Sequence, residues 1–492
     1  MKNKCLSYTL VSALFVGGLY SCENPELPGT GGTGADVVLQ WNREEQTMDG
    51  FGVAEAGWVD YLYAHRKRNE VTDLLFGQDG LRLNILRGEV FPHYDEQTFN
   101  MDADINLSLD DPFFDIDYSA SGNKEAEATA QRNGQLWLTK KAKQQYGVDK
   151  LIFSVWSPPA RMKSNGSVSK GSLKSSAYQA YADYLSDFCT AYSNAGMPVY
   201  AISPANEPEF AAEWTSCLWL PGATTLGPFI VNNLGPKLRQ THPDTRIIFG
   251  ENGQWTGILG FIMGSKNYVK NILSWNTGIT EFPLIAAGHG YLDPVTKKDP
   301  GISPFTAAEE KGIPVWLTEI SDPTTMYDPT MTDALRWAKV FHRYICEANV
   351  GAIVWWAGAL PDNWSTEGLI HIDKNRTDYE VTKRCEVFGN YSRYIPADSR
   401  RISAQYNPDR GFMVSGYKYG QAYTAVAVNP SDAEVTLTLA LQGANVSGAL
   451  QGYVTDETRR WEVIDPLQPT ANGTYRLVLP PRSVVSYLGT IN

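Results

Sequence analysis

The sequence predicts an α/β protein in two parts, a (β/α)8 TIM barrel with a C-terminal antiparallel β-sandwich beside it. Two changes of texture carry this. Across residues 37–392, eight short β-rich apolar runs alternate with amphipathic stretches; across 393–492 the runs alternate apolar with polar residues between Gly, Pro, Asn and Asp. Length agrees, since 492 residues exceed an ordinary single domain.

Taken in order, the first segment is not part of the fold. Met1-Lys2-Asn3-Lys4 ahead of an apolar run from Leu10 to Leu19 reads as a signal peptide over 1–21, too short for a membrane span. Leu19-Tyr20-Ser21-Cys22 resembles a bacterial lipoprotein signal, cleaved before Cys22 with lipid on its thiol; plain secretion is the alternative. The expected product is exported and anchored to a bacterial outer membrane, at the cell surface or the periplasmic face, and meets the membrane through that lipid only. Residues 22–36, rich in Pro, Gly and Thr, read as a flexible tether.

Barrel strands are expected at 48–54, 81–89, 151–157, 199–206, 246–251, 284–291, 315–319 and 352–357, runs apolar enough to be buried on both faces. Stretches such as 177–195, 226–240 and 332–348 supply the outer helices. No Gly-x-Gly-x-x-Gly follows an early strand, which removes the dinucleotide-binding alternative. An acid-rich insert at 93–133 matches no calcium-loop spacing and reads as a solvated loop that could wall a groove. Sandwich strands are expected at 412–417, 422–429, 434–441, 448–454, 460–463 and 475–479, with 37–47 lending one more.

A formal charge of −12 argues against nucleic acid or an anionic lipid surface as partner, since both want basic patches. The 14 Trp and 26 Tyr can fill a core, and aromatic faces also hold sugar rings. Export permits disulfides, but Cys189, Cys217, Cys346 and Cys385 follow neither a metal spacing nor a dense disulfide framework, and most of them are expected as buried free thiols. No metal or organic cofactor is implied, and the sequence sets no oligomeric state.

Two of the apolar runs close on carboxylates, Val199-Tyr200-Ala201-Ile202-Ser203-Pro204-Ala205-Asn206-Glu207 and Pro314-Val315-Trp316-Leu317-Thr318-Glu319. In one parallel barrel the C-terminal strand ends share a cleft, so both acids would meet there; fixing a loop is the plain alternative for either acid alone. Such a pair is what glycosidic bond cleavage needs, one group to protonate the leaving oxygen and one on the far side of the anomeric carbon. Close carboxylates repel, which favours one of them protonated, and Glu319 would need hydrogen-bond donors to stay ionised. Asn206 could bond a sugar 2-hydroxyl. Arg87 could orient a carboxylate or bind sugar hydroxyls, with a surface salt bridge as the alternative.

Ser203-Pro204-Ala205-Asn206-Glu207-Pro208, Trp316-Leu317-Thr318-Glu319 and Trp156-Ser157-Pro158-Pro159-Ala160 resemble motifs of glycoside hydrolase family 30, as do Asp49-Gly50-Phe51-Gly52 and Gly288-His289-Gly290-Tyr291. The resemblance runs from about residue 37 to 492. It implies a retaining barrel enzyme with a side sandwich, Glu207 as acid/base after the fourth strand and Glu319 as nucleophile after the seventh. It also implies Trp156 lining the sugar site, Tyr291 reaching the catalytic centre and Trp356 on the cleft floor. His289 falls between site residue and structural histidine.

Gly52-Val53-Ala54-Glu55-Ala56, Leu83-Asn84-Ile85-Leu86-Arg87 and Gly134-Gln135-Leu136-Trp137-Leu138 resemble the xylanase-type branch. The chain departs from the glucuronoxylan-specific members, which carry an arginine-rich loop after the eighth strand. Here that loop, Ala357-Gly358-Ala359-Leu360-Pro361-Asp362-Asn363-Trp364, has no arginine to pair a glucuronate, and Arg161 replaces the tryptophan common after Pro-Pro-Ala. The expectation is an endo-acting hydrolase of a β-linked plant polysaccharide, β-1,4-xylan first. A β-1,6-glucanase or another β-glycosidase of the family is the enzymatic alternative. A non-catalytic glycan-binding surface lipoprotein is the alternative of another class.

Overall fold

Eight short strands form the closed, all-parallel barrel: β2 (Gly50–Ala54), β3 (Ile85–Glu89), β4 (Lys150–Ser154), β5 (Ala201–Ser203), β6 (Arg246–Gly250), β7 (Leu284–His289), β8 (Val315–Ile320) and β9 (Ala352–Trp355). The computed structural model describes residues 34–55, 58–92, 124–257, 264–291, 301–322, 327–361, 367–373, 375 and 377–492, with side chains from 134 onward in the helix Lys124–Tyr146. Cys22, the signal and tether segments, and the acid-rich insert as far as residue 123 lie outside the described residues. No helix among the described residues is long and apolar enough to cross a membrane.

The barrel lumen is filled from alternate positions of its strands, with Ala54, Ile85, Ile152, Ala201, Ile248, Ile285, Ala287, Trp316, Ala352 and Val354 in one buried cluster. The intervening positions face the helices. Phe153 of β4, for example, packs its ring on Phe188 and Tyr192 of the helix Tyr178–Asn194, with centroids 4.9 and 4.7 Å away. At the N-terminal end of the strands, Trp316 donates Nε1–H to Asp49 at 2.7 Å and stacks on Tyr200, which ties this lumen residue to the segment leading into β2.

After the barrel, β10 (Ala359–Pro361), β11 (Ile370–Ile372) and β12 (Tyr379–Val381) form a small three-stranded sheet, and the second domain is one nine-stranded sheet. Strand β1 (Val37–Met48) lies inside it, between β13 (Ser399–Tyr406) and β16 (Val435–Gln442). The other members are β14 (Met413–Tyr419), β15 (Ala422–Asn429), β17 (Val446–Thr455), β18 (Glu462–Leu467), β19 (Tyr475–Leu479) and β20 (Ser483–Ile491). All pairings are antiparallel except β1 with β16, which is parallel. Leu437 and Leu477 share a buried cluster with Tyr423, Val485 and Tyr487, so the sheet curls over its own core.

Alternation along β15 joins the two domains. Tyr423, Ala425 and Ala427 face the sandwich core, while Val426 and Val428 join the core shared with the barrel helices. The helix Lys383–Ser392 seats this face: Asn390 Nδ2 reaches Ser486 Oγ at 3.2 Å, and Trp461 donates to the Glu386 carbonyl at 2.6 Å. Cys189, Cys217 and Cys385 are buried free thiols, and Cys346 is a partly buried one.

Candidate active site

The C-terminal ends of the barrel strands gather the polar residues. Arg87 stands two positions above the lumen residue Ile85 on β3, so the strand's period of two aims it inward. Trp156 follows β4, Asn206 and Glu207 follow β5, and Glu251 directly follows β6. His289 ends β7 with Tyr291 two residues on, Glu319 is the penultimate residue of β8, and Trp356 directly follows β9. Register shifts between Gly288 and His289 on β7, and between Leu317 and Ile320 on β8, flank Glu319. Irregularities of this kind re-aim side chains beside active sites.

Glu207 and Glu251 both occupy the left-handed backbone region, with φ of 43° and 52°. That conformation costs a non-glycine residue roughly 1–3 kcal/mol and persists only where surrounding contacts fix it. Here the Glu207 N–H donates to the Glu251 carbonyl at 3.0 Å, and the Asn206 N–H to the Val155 carbonyl at 2.8 Å. The two strained turns brace each other.

Arg87 is the hub of the site and is 1% exposed. Its Nη1 donates to Glu319 Oε2 at 2.6 Å, and its Nη2 to Asn206 Oδ1 at 2.6 Å and Glu251 Oε1 at 3.3 Å. Its guanidinium carbon lies 4.9 Å from the centre of the Trp156 ring. Tyr291 donates its hydroxyl to the other oxygen of Glu319 at 2.7 Å. Both oxygens of Glu319 therefore have donors. Glu251 is tied down in turn by Ser154 Oγ at 2.6 Å. His289 Nδ1 stands between the acids, 3.4 Å from Glu207 Oε1 and 3.6 Å from Glu319 Oε1. Trp156 and Trp356 lie side by side with ring centres 6.0 Å apart.

The charges balance internally. Burial would neutralise Glu251, but Arg87, then His289 and Ser154, outweigh it and hold its pKa down at about 2. Burial likewise works against a charged His289, yet Glu319, Glu207 and Glu251 raise it to about 10. Burial, with Glu319 and Glu207 adding to it, pushes the Tyr291 phenol well above its usual range, so it stays a donor. One ligand atom each from Glu207, His289 and Glu319 lies within 4.8 Å of the others, a spacing that could hold a cation. Arg87 and Tyr291 already donate to both oxygens of Glu319.

Arg87, Trp156, Asn206, Glu207, His289, Tyr291, Glu319 and Trp356, all candidate site residues in the sequence, come together here. The addition is Glu251, which closes the apolar run 246–250 as Glu207 and Glu319 close theirs. Its strand-terminal carboxylate was the available signal. Of the loop after β9, residues 357–361 are described and 362–366 are not; Arg161 is exposed.

A family model described as O-Glycosyl hydrolase family 30 matches residues 35–270. The chain is 26% identical over 472 residues to Glucuronoxylanase XynC of Bacillus subtilis strain 168, covering 92% of each chain. It is 25% identical over 253 residues to the Endo-1,6-beta-D-glucanase of Neurospora crassa, 47% of this chain and 49% of that one. The solved structure of a glycoside hydrolase family 30 subfamily 8 xylanase, Xyn30A, from Clostridium acetobutylicum matches at a TM-score of 0.68. That pair is 25% identical and spans 92% of this chain and 99% of the other. The barrel, the attached sheet and the near end-to-end similarity agree in making the chain similar to members of glycoside hydrolase family 30.

Proposed function

We propose that this protein is a retaining endo-glycosidase of β-1,4-xylan, with Glu207 as acid/base and Glu319 as nucleophile. The observation that carries this reading is spacing. A carboxylate oxygen of Glu207 lies within 4.8 Å of one of Glu319. Retaining enzymes hold the pair about 5–5.5 Å apart, whereas inverting ones leave about 6.5–9.5 Å for a water.

In the first step Glu207 gives its proton to the leaving glycosidic oxygen while a Glu319 oxygen bonds to the anomeric carbon, forming a glycosyl ester. Arg87 and Tyr291 aim Glu319 by donating hydrogen bonds to its two oxygens. In the second step Glu207 takes a proton from water, whose oxygen displaces Glu319 and restores the starting anomeric configuration. Trp156, Trp356 and Asn206 border the sugar bound there. Asn206 already accepts from Arg87, which leaves its amide N–H group to meet a hydroxyl.

Xylan is favoured by the similarity to the Bacillus and Clostridium xylanases. β-1,6-Glucan is the second reading, favoured by the Neurospora relative and by the absence of arginine across 357–364. Digestion of glucuronoxylan, unsubstituted xylan and β-1,6-glucan, read by chromatography, separates them. Mixed xylo-oligosaccharides from both xylans are expected, and release from β-1,6-glucan alone would replace xylan as the substrate. The N-terminal sequence supports export and a lipid on Cys22. Cys22→Ala should move the protein from the membrane fraction to the soluble one, and unchanged fractionation would remove the anchor.

A further inference from the structure

The loop that carries Glu207 continues into two of the few large apolar side chains that the described residues leave exposed. Phe210 is 47% and Trp214 59% exposed, with ring centres 5.8 Å apart and planes at 57°. The Phe210 N–H donates to the Glu207 carbonyl at 2.9 Å, so one tight turn separates the first ring from the acid. Neighbouring aromatic rings open to water beside a cleft mark a contact surface more often than a packing residue.

The loop is held rigidly. Lys163 is fully buried, and its ammonium donates to Ser157 Oγ at 2.8 Å, the Val168 carbonyl at 3.1 Å and the Ser216 carbonyl. A buried ammonium is costly unless so bonded, and here it ties the loop after β4 to the loop after β5. Ser169 Oγ donates to the Glu213 carbonyl at 3.1 Å, and the Trp219 N–H to the Pro208 carbonyl at 2.9 Å. At the other margin, Glu209 accepts the Gly253 N–H at 2.8 Å. Two rings on a braced loop need little ordering when a ligand arrives.

We propose that Phe210 and Trp214 form a stacking subsite for the leaving-group half of the glycan, beyond the bond that Glu207 protonates. This rests on the glycosidase reading above. An acid that reaches the leaving oxygen has the departing sugars beside it, so the loop carrying Glu207 flanks that half of the chain. Local charge indicates which sugars fit. Glu213 is paired with Lys170 at 2.5 Å, and burial, with Glu207 adding to it, lifts Glu209 to about 8 and leaves it mostly neutral at pH 7. The surface therefore suits unsubstituted, neutral sugar rings.

The test compares the wild type with Phe210→Ala, Trp214→Ala, the double variant and Trp214→Phe. Each is assayed on whichever of xylan and β-1,6-glucan the wild type cleaves and on an aryl glycoside of the same sugar. For the double variant, the ratio of kcat/KM on polysaccharide to that on the aryl glycoside should fall about 10- to 100-fold, the scale of uncovering two aromatic faces. The fall should lie mainly in KM, and Trp214→Phe should restore most of it. On reducing-end-labelled oligosaccharides the cut should move toward the label, since fewer sugars are held on that side. A ratio within about twofold of wild type, with an unmoved cut, would overturn the subsite alone. A wild type that turned over neither substrate would overturn the reading of the site as a xylanase or β-1,6-glucanase, and the subsite with it.

Discussion

Arg87 explains why the site holds together at the scale of single residues. One buried guanidinium bonds three side chains that lie 119, 164 and 232 positions away along the chain. Sequence reading reaches Glu207 and Glu319, because each closes an apolar run inside a recognisable motif. It leaves Arg87 open between a site role and a surface ion pair, because its partners are distant in the chain. Glu251 has the same strand-end signature and lacks the motif.

Its charge gives a pH prediction. Glu251 has its usual value of 4.5 lowered to about 2, so its stabilisation is full above pH 4.5 and is lost as pH falls through 2. His289 is raised from 6.5 to about 10, so its share is full below pH 6.5 and is lost as pH rises through 10. Both contributions are complete between those usual values, pH 4.5 and 6.5. Glu251→Gln should cost roughly 3 kcal/mol at pH 6, because Arg87 loses a buried partner. It should also flatten the acid limb of the stability profile and start the alkaline loss earlier. Urea unfolding across pH 3–10 checks this, and an acid limb of unchanged slope would remove Glu251 from the network.

At the scale of elements, the strand centres are legible because runs buried on both faces are apolar throughout. Their ends are not. Residues 199–206 are expected as one strand, yet β5 spans only Ala201–Ser203 and the chain then turns to lift Glu207 out. Likewise 460–463 is observed as Glu462–Leu467, and β13 and β20 carry no turn-bounded signal strong enough to single them out. The parallel pairing of β1 with β16 depends on contact across about 400 residues, which no local pattern encodes.

The turn after β6 depends on Gly250, whose φ is 111° and whose added Cβ would come within 2.1 Å of the Ala287 carbonyl oxygen. Gly250→Ala should therefore cost about 1–3 kcal/mol. It should also lower kcat more than it raises KM, since it shifts Glu251 and through it Arg87. Thermal unfolding and steady-state kinetics would show it, and a variant with wild-type stability would contradict the strained-turn account.

At the scale of the whole molecule, the sheet domain is built into the barrel rather than hung from it. Its β1 comes from before the barrel and its remaining strands from after, and one sheet face joins the barrel's own core. Trp461 fills the contact, lying where a Cβ on Gly389 would meet it at 2.3 Å and under the Arg393 guanidinium at 4.3 Å. The two domains should unfold in one transition, with circular dichroism and tryptophan fluorescence tracing the same curve. Trp461→Ala should lower it by roughly 3 kcal/mol. Two separated transitions in the wild type would mean that the sheet folds independently.

The central claim is that Glu319 becomes covalently bonded to the sugar while Glu207 handles the proton. The most direct measurement is mass spectrometry of peptides after trapping with a 2-deoxy-2-fluoro glycoside that carries an activated leaving group. The account predicts one added glycosyl mass on the peptide containing Glu319, absent in Glu319→Gln and still formed in Glu207→Gln. A label on Glu207 or any other residue, or an active enzyme whose first product has inverted configuration, would contradict it.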